Sequence, residues 1–265
     1  MSTYNKSIEH LNFIKNRKKE KKLVIITQIL IIGLFLIGWE LLAKFELINT
    51  FLISSPSEIV RTLINLWKTN QLFRHIWITI YETLLSFGIS SLLGFIIAII
   101  LWWYSFIAKV MDPYLTILNS LPKVALGPLI IIWVGASINS IIFMALLISL
   151  IISIINIYNG FLTTDENYIT LLKTFKASKK QLFLNAVLPS NKLNIINSLK
   201  INISMSLIGV IMGELLVSKE GLGYLIMYGS QVFNINLVIT SVFILGIVSY
   251  LMYYIISYIE KKLIK

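Results

Sequence analysis

Apolar residues in this chain come in long, nearly unbroken runs, not in alternating or strictly periodic patches. The runs cover residues 23–43, 77–103, 114–134, 138–159, 195–217 and 235–258. A helix needs about 20 apolar residues to cross the hydrocarbon core of a bilayer, so the pattern predicts six transmembrane helices. The third run carries Pro122, Lys123, Gly127 and Pro128. Proline removes a backbone donor and clashes with the preceding turn, so this span is expected to be kinked or broken. Asp112-Pro113 is expected to break the chain just before it. Between the first two runs, residues 44–75 hold Ser54-Ser55-Pro56-Ser57 and an amphipathic stretch from Glu58 to Trp67. Ser55 or Ser57 is expected to cap a short helix there.

Composition supports an all-α polytopic membrane protein. Of 265 residues, 57% are hydrophobic and 13% charged, against about 45–50% and about 25% in soluble domains. The first run has 21 residues (23–43), longer than the roughly 7–15 of a signal-peptide core, and no small-residue cleavage site follows it. It therefore reads as an uncleaved span. The net charge of +11 points to lysines and arginines kept on one membrane side, not to nucleic acid. Six spans put both termini on the same side. With that side inside, the inner segments hold 16 Lys and Arg and the outer ones 5, which by the positive-inside rule places both termini in the cytoplasm. The expected organisation is a basic cytoplasmic tail (1–22), a first span (23–43), an extracytoplasmic connection (44–75), a core (76–260) and a short tail (261–265).

One connection is unusually long. Residues 160–194, on the predicted cytoplasmic side, read GFLTTDENYITLLKTFKASKKQLFLNAVLPSNKLN. Thr164 or Asp165 can cap a helix. Ile169, Leu172 and Phe175, then Leu182, Phe183, Ala186 and Val187, recur at helical spacing, and Pro189 is expected to end the second run. Two short amphipathic helices joined near Lys176-Ala177-Ser178 follow. A basic amphipathic pair can lie on anionic lipid or seat its apolar face in a partner's groove. Both readings fit the residues.

Within the spans, Gly209 and Gly213 sit four apart, with Ser204 and Ser206 just before them. Small residues at that spacing let helices approach closely. Glu214 is an acid near the outer end of the fifth span, and Glu82 and Lys200 are weaker cases of intramembrane charge. Most tryptophans fall near span ends, as in an aromatic belt. Gly221-x-Gly223 lacks the strand and the Lys-Ser/Thr of a phosphate cradle and reads as a turn. With no cysteine, two distant histidines and no carboxylate cluster, no metal site or cofactor is expected. No phosphate-binding loop, zinc-protease motif or nucleophile elbow occurs, so no catalytic residue is assigned and the chain does not read as an enzyme.

Several ordered segments resemble one family. Thr170-Leu171-Leu172-Lys173-Thr174-Phe175-Lys176-Ala177-Ser178, Gln181-Leu182-Phe183 and Val187-Leu188-Pro189 are similar to the cytoplasmic loop of inner-membrane permeases of binding-protein-dependent ABC importers. Leu121-Pro122 with Ala125-Leu126-Gly127-Pro128-Leu129 and Trp133-Val134-Gly135 resembles the nitrate/sulfonate/taurine-type branch. Ser54-Ser55-Pro56-Ser57, and Gly213-Glu214 with Gly221-Leu222-Gly223-Tyr224-Leu225-Ile226, do so as well. Thr170 and Lys176 stand where that family usually has Glu and Gly. The resemblance implies a type I importer permease fold, cytoplasmic ABC ATPase subunits, an extracellular solute-binding lipoprotein and a second permease copy, as a homodimer in the bilayer. It implies that Asp165, Thr170, Leu171, Leu172, Phe175, Lys176, Ala177, Ser178, Gln181, Leu182, Phe183, Leu188 and Pro189 form the ATPase-coupling loop. It places Ser206, Gly209, Gly213 and Glu214 along the pathway or dimer seam, beside the plainer reading of packing within one subunit. Sulfonate, taurine, nitrate or a similar anion is the implied solute, with a thiamine-precursor pyrimidine as the alternative. An ATP-independent secondary transporter is the alternative of another class; no inverted repeat speaks for it.

Overall fold

The computed structural model describes residues 8–263, and every regular element among them is helical. α1 (Ile8–Lys44) is followed by the short α2 (Thr50–Ile53), α3 (Pro56–Lys68), and α4 (Gln71–Trp103). α5 (Ser105–Ser120) and α6 (Gly127–Val134) flank a 3-10 turn at Lys123–Leu126. Then come α7 (Ile138–Leu162), α8 (Glu166–Thr174), α9 (Lys179–Leu182), α10 (Leu188–Ser190), α11 (Lys192–Val217), α12 (Leu222–Gln231) and α13 (Ile235–Leu263).

Five helices are long and apolar enough to cross a membrane: α1 from Phe13, then α4, α7, α11 and α13. The third predicted span is a bent pair, α5 and the Lys123–Val134 segment meeting at 83°. Leu121-Pro122 supplies the break, since Pro122 cannot continue the α5 hydrogen-bond ladder. Pro113, by contrast, lies inside α5, which corrects the expectation of a break at Asp112-Pro113. Pro113 forfeits the ladder bond to the Lys109 carbonyl, but the helix continues on both sides of it, as membrane helices tolerate. α1 reaches back to Ile8, so part of the predicted basic tail is helical, and α4 starts at Gln71, inside the predicted connection. In that connection Ser55 caps α3, accepting from Glu58 N at 3.3 Å.

α4, α7 and α11 form the central bundle. In lipid, apolar surface gives helices no reason to associate, so close packing through small residues must supply the contact. α4 accordingly turns Thr79, Thr83, Ser86, Ser90, Gly94 and Ala98 inward, all buried. Gly94 faces Ser153 of α7. Gly209 packs on the Ala145 backbone, and a Cβ at Gly213 would stand 2.8 Å from Ile141 Cα. These glycines of α11 are therefore taken up by α7 of the same chain. For the two of them the packing reading within one subunit describes the contacts seen here. α1 buries none of its most apolar stretch within the subunit.

Candidate functional site

The segment between α7 and α11 is built from local signals that close on one another. Asp165 caps α8, its carboxylate accepting from Asn167 N at 2.8 Å. Thr164 turns inward instead. Its hydroxyl donates to Phe161 O at 3.0 Å and accepts from Asn191 Nδ2 at 2.8 Å, both buried contacts. The first and last residues of the segment are thus tied together. α8 ends in a tight reversal: Lys176 N donates to Lys173 O at 2.9 Å and Ala177 N to Leu172 O at 3.1 Å. This pair of bonds needs a left-handed residue, usually glycine, and Lys176 takes it with φ 55°. An L-residue there costs about 1 kcal/mol. Lys176→Gly should therefore stabilise the turn, and exchange of the Ala177 amide should slow about fivefold; unchanged or faster exchange would refute the strain.

Ser178 and Gln181 form a reciprocal cap for the second helix, at 2.7 and 3.3 Å. From Lys179 to Ser190 the chain stays helical, with one widened π turn at Phe183–Val187. Pro189 does not end the run as expected. It has no N–H for the Asn185 carbonyl and would press on it. The π turn, closed by Leu188 N donating to Phe183 O, opens the preceding coil and accommodates the ring.

The two helices face different ways. Phe183 and Val187 are buried against Ala98, Ile157 and Phe161, and Ala186 is buried as well. The Phe183 ring lies 5.0 Å from that of Trp102 and 5.5 Å from that of Phe161. Lys179 sits over the rings of Trp102 and Trp103 and donates to the Trp103 carbonyl. The second helix is thus rooted in the ends of α4 and α7. α8 is not covered. Tyr168, Leu171 and Phe175 are 57, 54 and 74% exposed, and their i, i+3, i+7 spacing puts them on one face. Thr170 and Lys176 are exposed nearby, Leu172, Ala177, Leu182 and Leu188 are half-buried, and Ser178, Gln181 and Pro189 are exposed. The outward apolar face is therefore Tyr168–Leu171–Phe175. Leu172 is turned partly inward, and Tyr168 was not singled out from the sequence.

At the opposite end of α11, Glu214 is 1% exposed. One carboxylate oxygen accepts from Thr79 Oγ1 and the other from Gly223 N, each at 2.6 Å. Thr79 Oγ1 accepts in turn from Leu222 N at 2.8 Å, and His75 Nδ1 accepts from Gly221 N at 2.9 Å. Gly221 has φ 106° and lies against the Glu214 carboxyl, where a Cβ has no room. Glu82 is buried beside Glu214. These contacts clasp the start of α12 to α4 and α11. Glu214 is thus neither wetted nor facing a channel within the subunit, and Ser206 is buried as well, its hydroxyl without a partner among the described residues.

Residues 90–265 match the family described as the inner membrane component of binding-protein-dependent transport systems. The chain belongs to that family. This permease is 28% identical to a probable ABC transporter permease protein of Haemophilus influenzae, over 92% of this chain and 98% of the relative. It is 29% identical to the formylaminopyrimidine transport permease protein ThiX of Halalkalibacterium halodurans, over 72% and 76%. It is 27% identical to the putative aliphatic sulfonates transport permease protein SsuC of Bacillus subtilis, over 86% and 82%. Its fold is similar to a chain of the MetNI methionine ABC transporter in an inward-facing conformation. That similarity has a TM-score of 0.65 at 18% identity and covers 74% of this chain and 97% of the other. The permease has the fold of type I ABC importers, and its role in an ABC importer follows from the family.

Proposed function

We propose that the permease works as a pair of identical subunits, both termini in the cytoplasm, and that residues 163–189 couple it to two cytoplasmic ABC ATPases. Catalysis of ATP hydrolysis resides on those partners. The observation that carries this reading is the outward face of Tyr168, Leu171 and Phe175 on α8, next to a helix rooted through Phe183 and Lys179 in the bundle. An apolar helix face of this kind suits a groove in a partner, and its root suits it to pass motion to α4, α7 and α11. An extracellular binding protein delivers solute to the outer segments 44–75 and 218–234. Switching requires that the two permease states bind those partners with different affinities.

The solute in this reading is a small oxyanion such as a sulfonate, taurine or nitrate, in line with the sulfonate relative. The formylaminopyrimidine relative, of similar identity, supports a pyrimidine as the second reading. Uptake of methanesulfonate, taurine, nitrate and formylaminopyrimidine by cells carrying the permease and its neighbouring ATPase tests both. Uptake of an anion that stops when the ATPase is deleted is the expected result. Uptake that persists without the ATPase makes the protein a secondary transporter, and uptake of the pyrimidine alone overturns the anion reading.

A further inference from the structure

α5 is two-sided although it belongs to a membrane span. At 3.6 residues per turn, Ser105, Lys109, Asp112, Thr116, Asn119 and Ser120 fall in one sector about 100° wide, and all six are exposed within the subunit. Phe106, Val110, Tyr114, Ile117 and Leu118 hold the opposite side and are exposed as well. Ala108 and Leu115, packed with Leu101 and Ile154, run along one edge of the polar sector. The helix therefore has an apolar side suited to lipid, a seam against its own bundle, and a polar side that its own subunit leaves uncovered. Hydrocarbon does not suit that third side, because polar and ionisable groups in spans turn to protein or to a water-filled cavity.

Lys123 extends the polar side past the end of α5, where the span bends by 83°. Its Nζ donates to Asn119 O at 3.0 Å, and an ammonium has two further N–H groups to give. The ion pairs among the described residues are Arg61–Glu58, Arg74–Glu220 and Lys200–Glu260, so none of these carboxylates neutralises Lys123. Asp112 lies about 16 Å back along the helix, with Lys109 of opposite sign one turn from it. The far end of the polar side is thus positive. Gly127, at the start of α6, lies against Leu216, which sets the bend beside the Glu214 end of α11.

The geometry points to the Thr116–Asn119–Ser120 side of α5 as a wall of the solute path, with Lys123 as the cation that receives the oxyanion at its outer end. The inference rests on the anion reading and the paired subunits proposed above. A second copy brings a second polar side and a second Lys123 to the same path. A charge-assisted contact from Lys123 draws an oxyanion, and the uncharged residues beyond it let the anion pass on. A neutral pyrimidine gains little from that charge.

The chain has no cysteine, so single thiols report cleanly. Thr116→Cys and Asn119→Cys on the polar side, and Ile117→Cys and Leu118→Cys on the apolar side, are placed in the full-length permease bound to its ATPase in nanodiscs. The probe is 2-sulfonatoethyl methanethiosulfonate, itself a sulfonate, which reacts with thiolates and so with thiols that meet water. The polar-side thiols should react at least about tenfold faster than the other two. Adding Lys123→Gln should slow the probe at Asn119→Cys about fivefold by removing the neighbouring charge, with a neutral methanethiosulfonate unaffected and Lys123→Arg close to the parent. In cells, Lys123→Gln should lower uptake of the transported anion about tenfold at low concentration, and Lys123→Arg should keep most of it. Equal labelling on both sides overturns the proposal, because α5 then lies at the membrane surface, and so does a polar side that stays unlabelled. Anion uptake that depends on the ATPase but is untouched by Lys123→Gln overturns it and leaves the anion reading standing. Uptake of the pyrimidine alone removes the anion reading and the role of Lys123 with it. If phosphatidylglycerol in the disc slows even the neutral reagent at Asn119→Cys, and only while Lys123 is present, Lys123 holds a lipid phosphate and the proposal fails.

Discussion

Glu214→Ala is expected to lower the apparent melting temperature of the detergent-purified permease by roughly 10 °C. The substitution removes a buried carboxylate that accepts from Thr79 Oγ1 and Gly223 N at 2.6 Å. Both donors stay buried, and each unsatisfied group costs about 1–3 kcal/mol. The empty space left at Gly221 and Gly223, which pack on the Glu214 side chain, adds to the loss. A total of about 3–5 kcal/mol at about 2–4 °C per kcal/mol gives the expected shift. Glu214→Gln keeps the volume and one acceptor, so it should fall between Ala and the parent. Thr79→Val keeps the shape and loses both of its hydroxyl contacts, and should cost about half as much as Ala. An alanine variant that melts with the parent would show that the clasp does not hold α12, and the structural account of Glu214 would fail.

The clasp shows where reading a sequence stops. Thr79 and Glu214 are 135 positions apart, and neither carries a motif that names the other. Glu214 as an isolated acid in a span reads equally well as a pathway group. The usable signal was on α4: His75, Thr79, Glu82, Thr83, Ser86 and Ser90 recur at helical spacing within an apolar run, which marks a polar stripe turned to the inside of a bundle. The spans themselves were legible because hydrocarbon leaves the backbone no alternative to the helix. The break at Pro122 was legible for the same reason. Pro113 was not, because a proline in a membrane helix either ends it or is passed at the loss of one ladder bond, and nothing local to Asp112-Pro113 decides which. Gly209 and Gly213 announced close approach without saying to which helix. In the coupling segment the joint near Lys176-Ala177-Ser178 and a cap at Thr164 or Asp165 were legible because both are local, while the choice of Asp165 and the Ser178–Gln181 cap came with the structure. Which face of α8 looks outward was not local, since it depends on how the second helix docks.

That outward face carries the other large expected effect. Leu171→Asp combined with Phe175→Asp should weaken ATPase assembly by more than about 100-fold and abolish uptake, with the melting temperature of the isolated permease unchanged. The two side chains are 54 and 74% exposed, so the permease core does not depend on them. Burying each in a partner groove is worth about 1.5–3 kcal/mol. Charged replacements lose that gain and add the cost of desolvating a carboxylate. At about 1.4 kcal/mol per factor of ten, the pair exceeds two decades. Leu172→Asp supplies the contrast. Leu172 is half-buried and its carbonyl closes the turn after α8, so an acid there should lower stability and coupling together. Phe183→Ala should act through the fold alone, since that ring is packed between Trp102 and Phe161. If the double variant keeps the ATPase bound in co-purification, while vesicle flotation shows weaker attachment of the loop peptide to anionic lipid, α8 lies on the membrane and the partner's groove must receive another part of the chain. Loss of the ATPase with the fold intact would place the coupling contact on Tyr168, Leu171 and Phe175. The buried Phe183 and Val187 would then be its root.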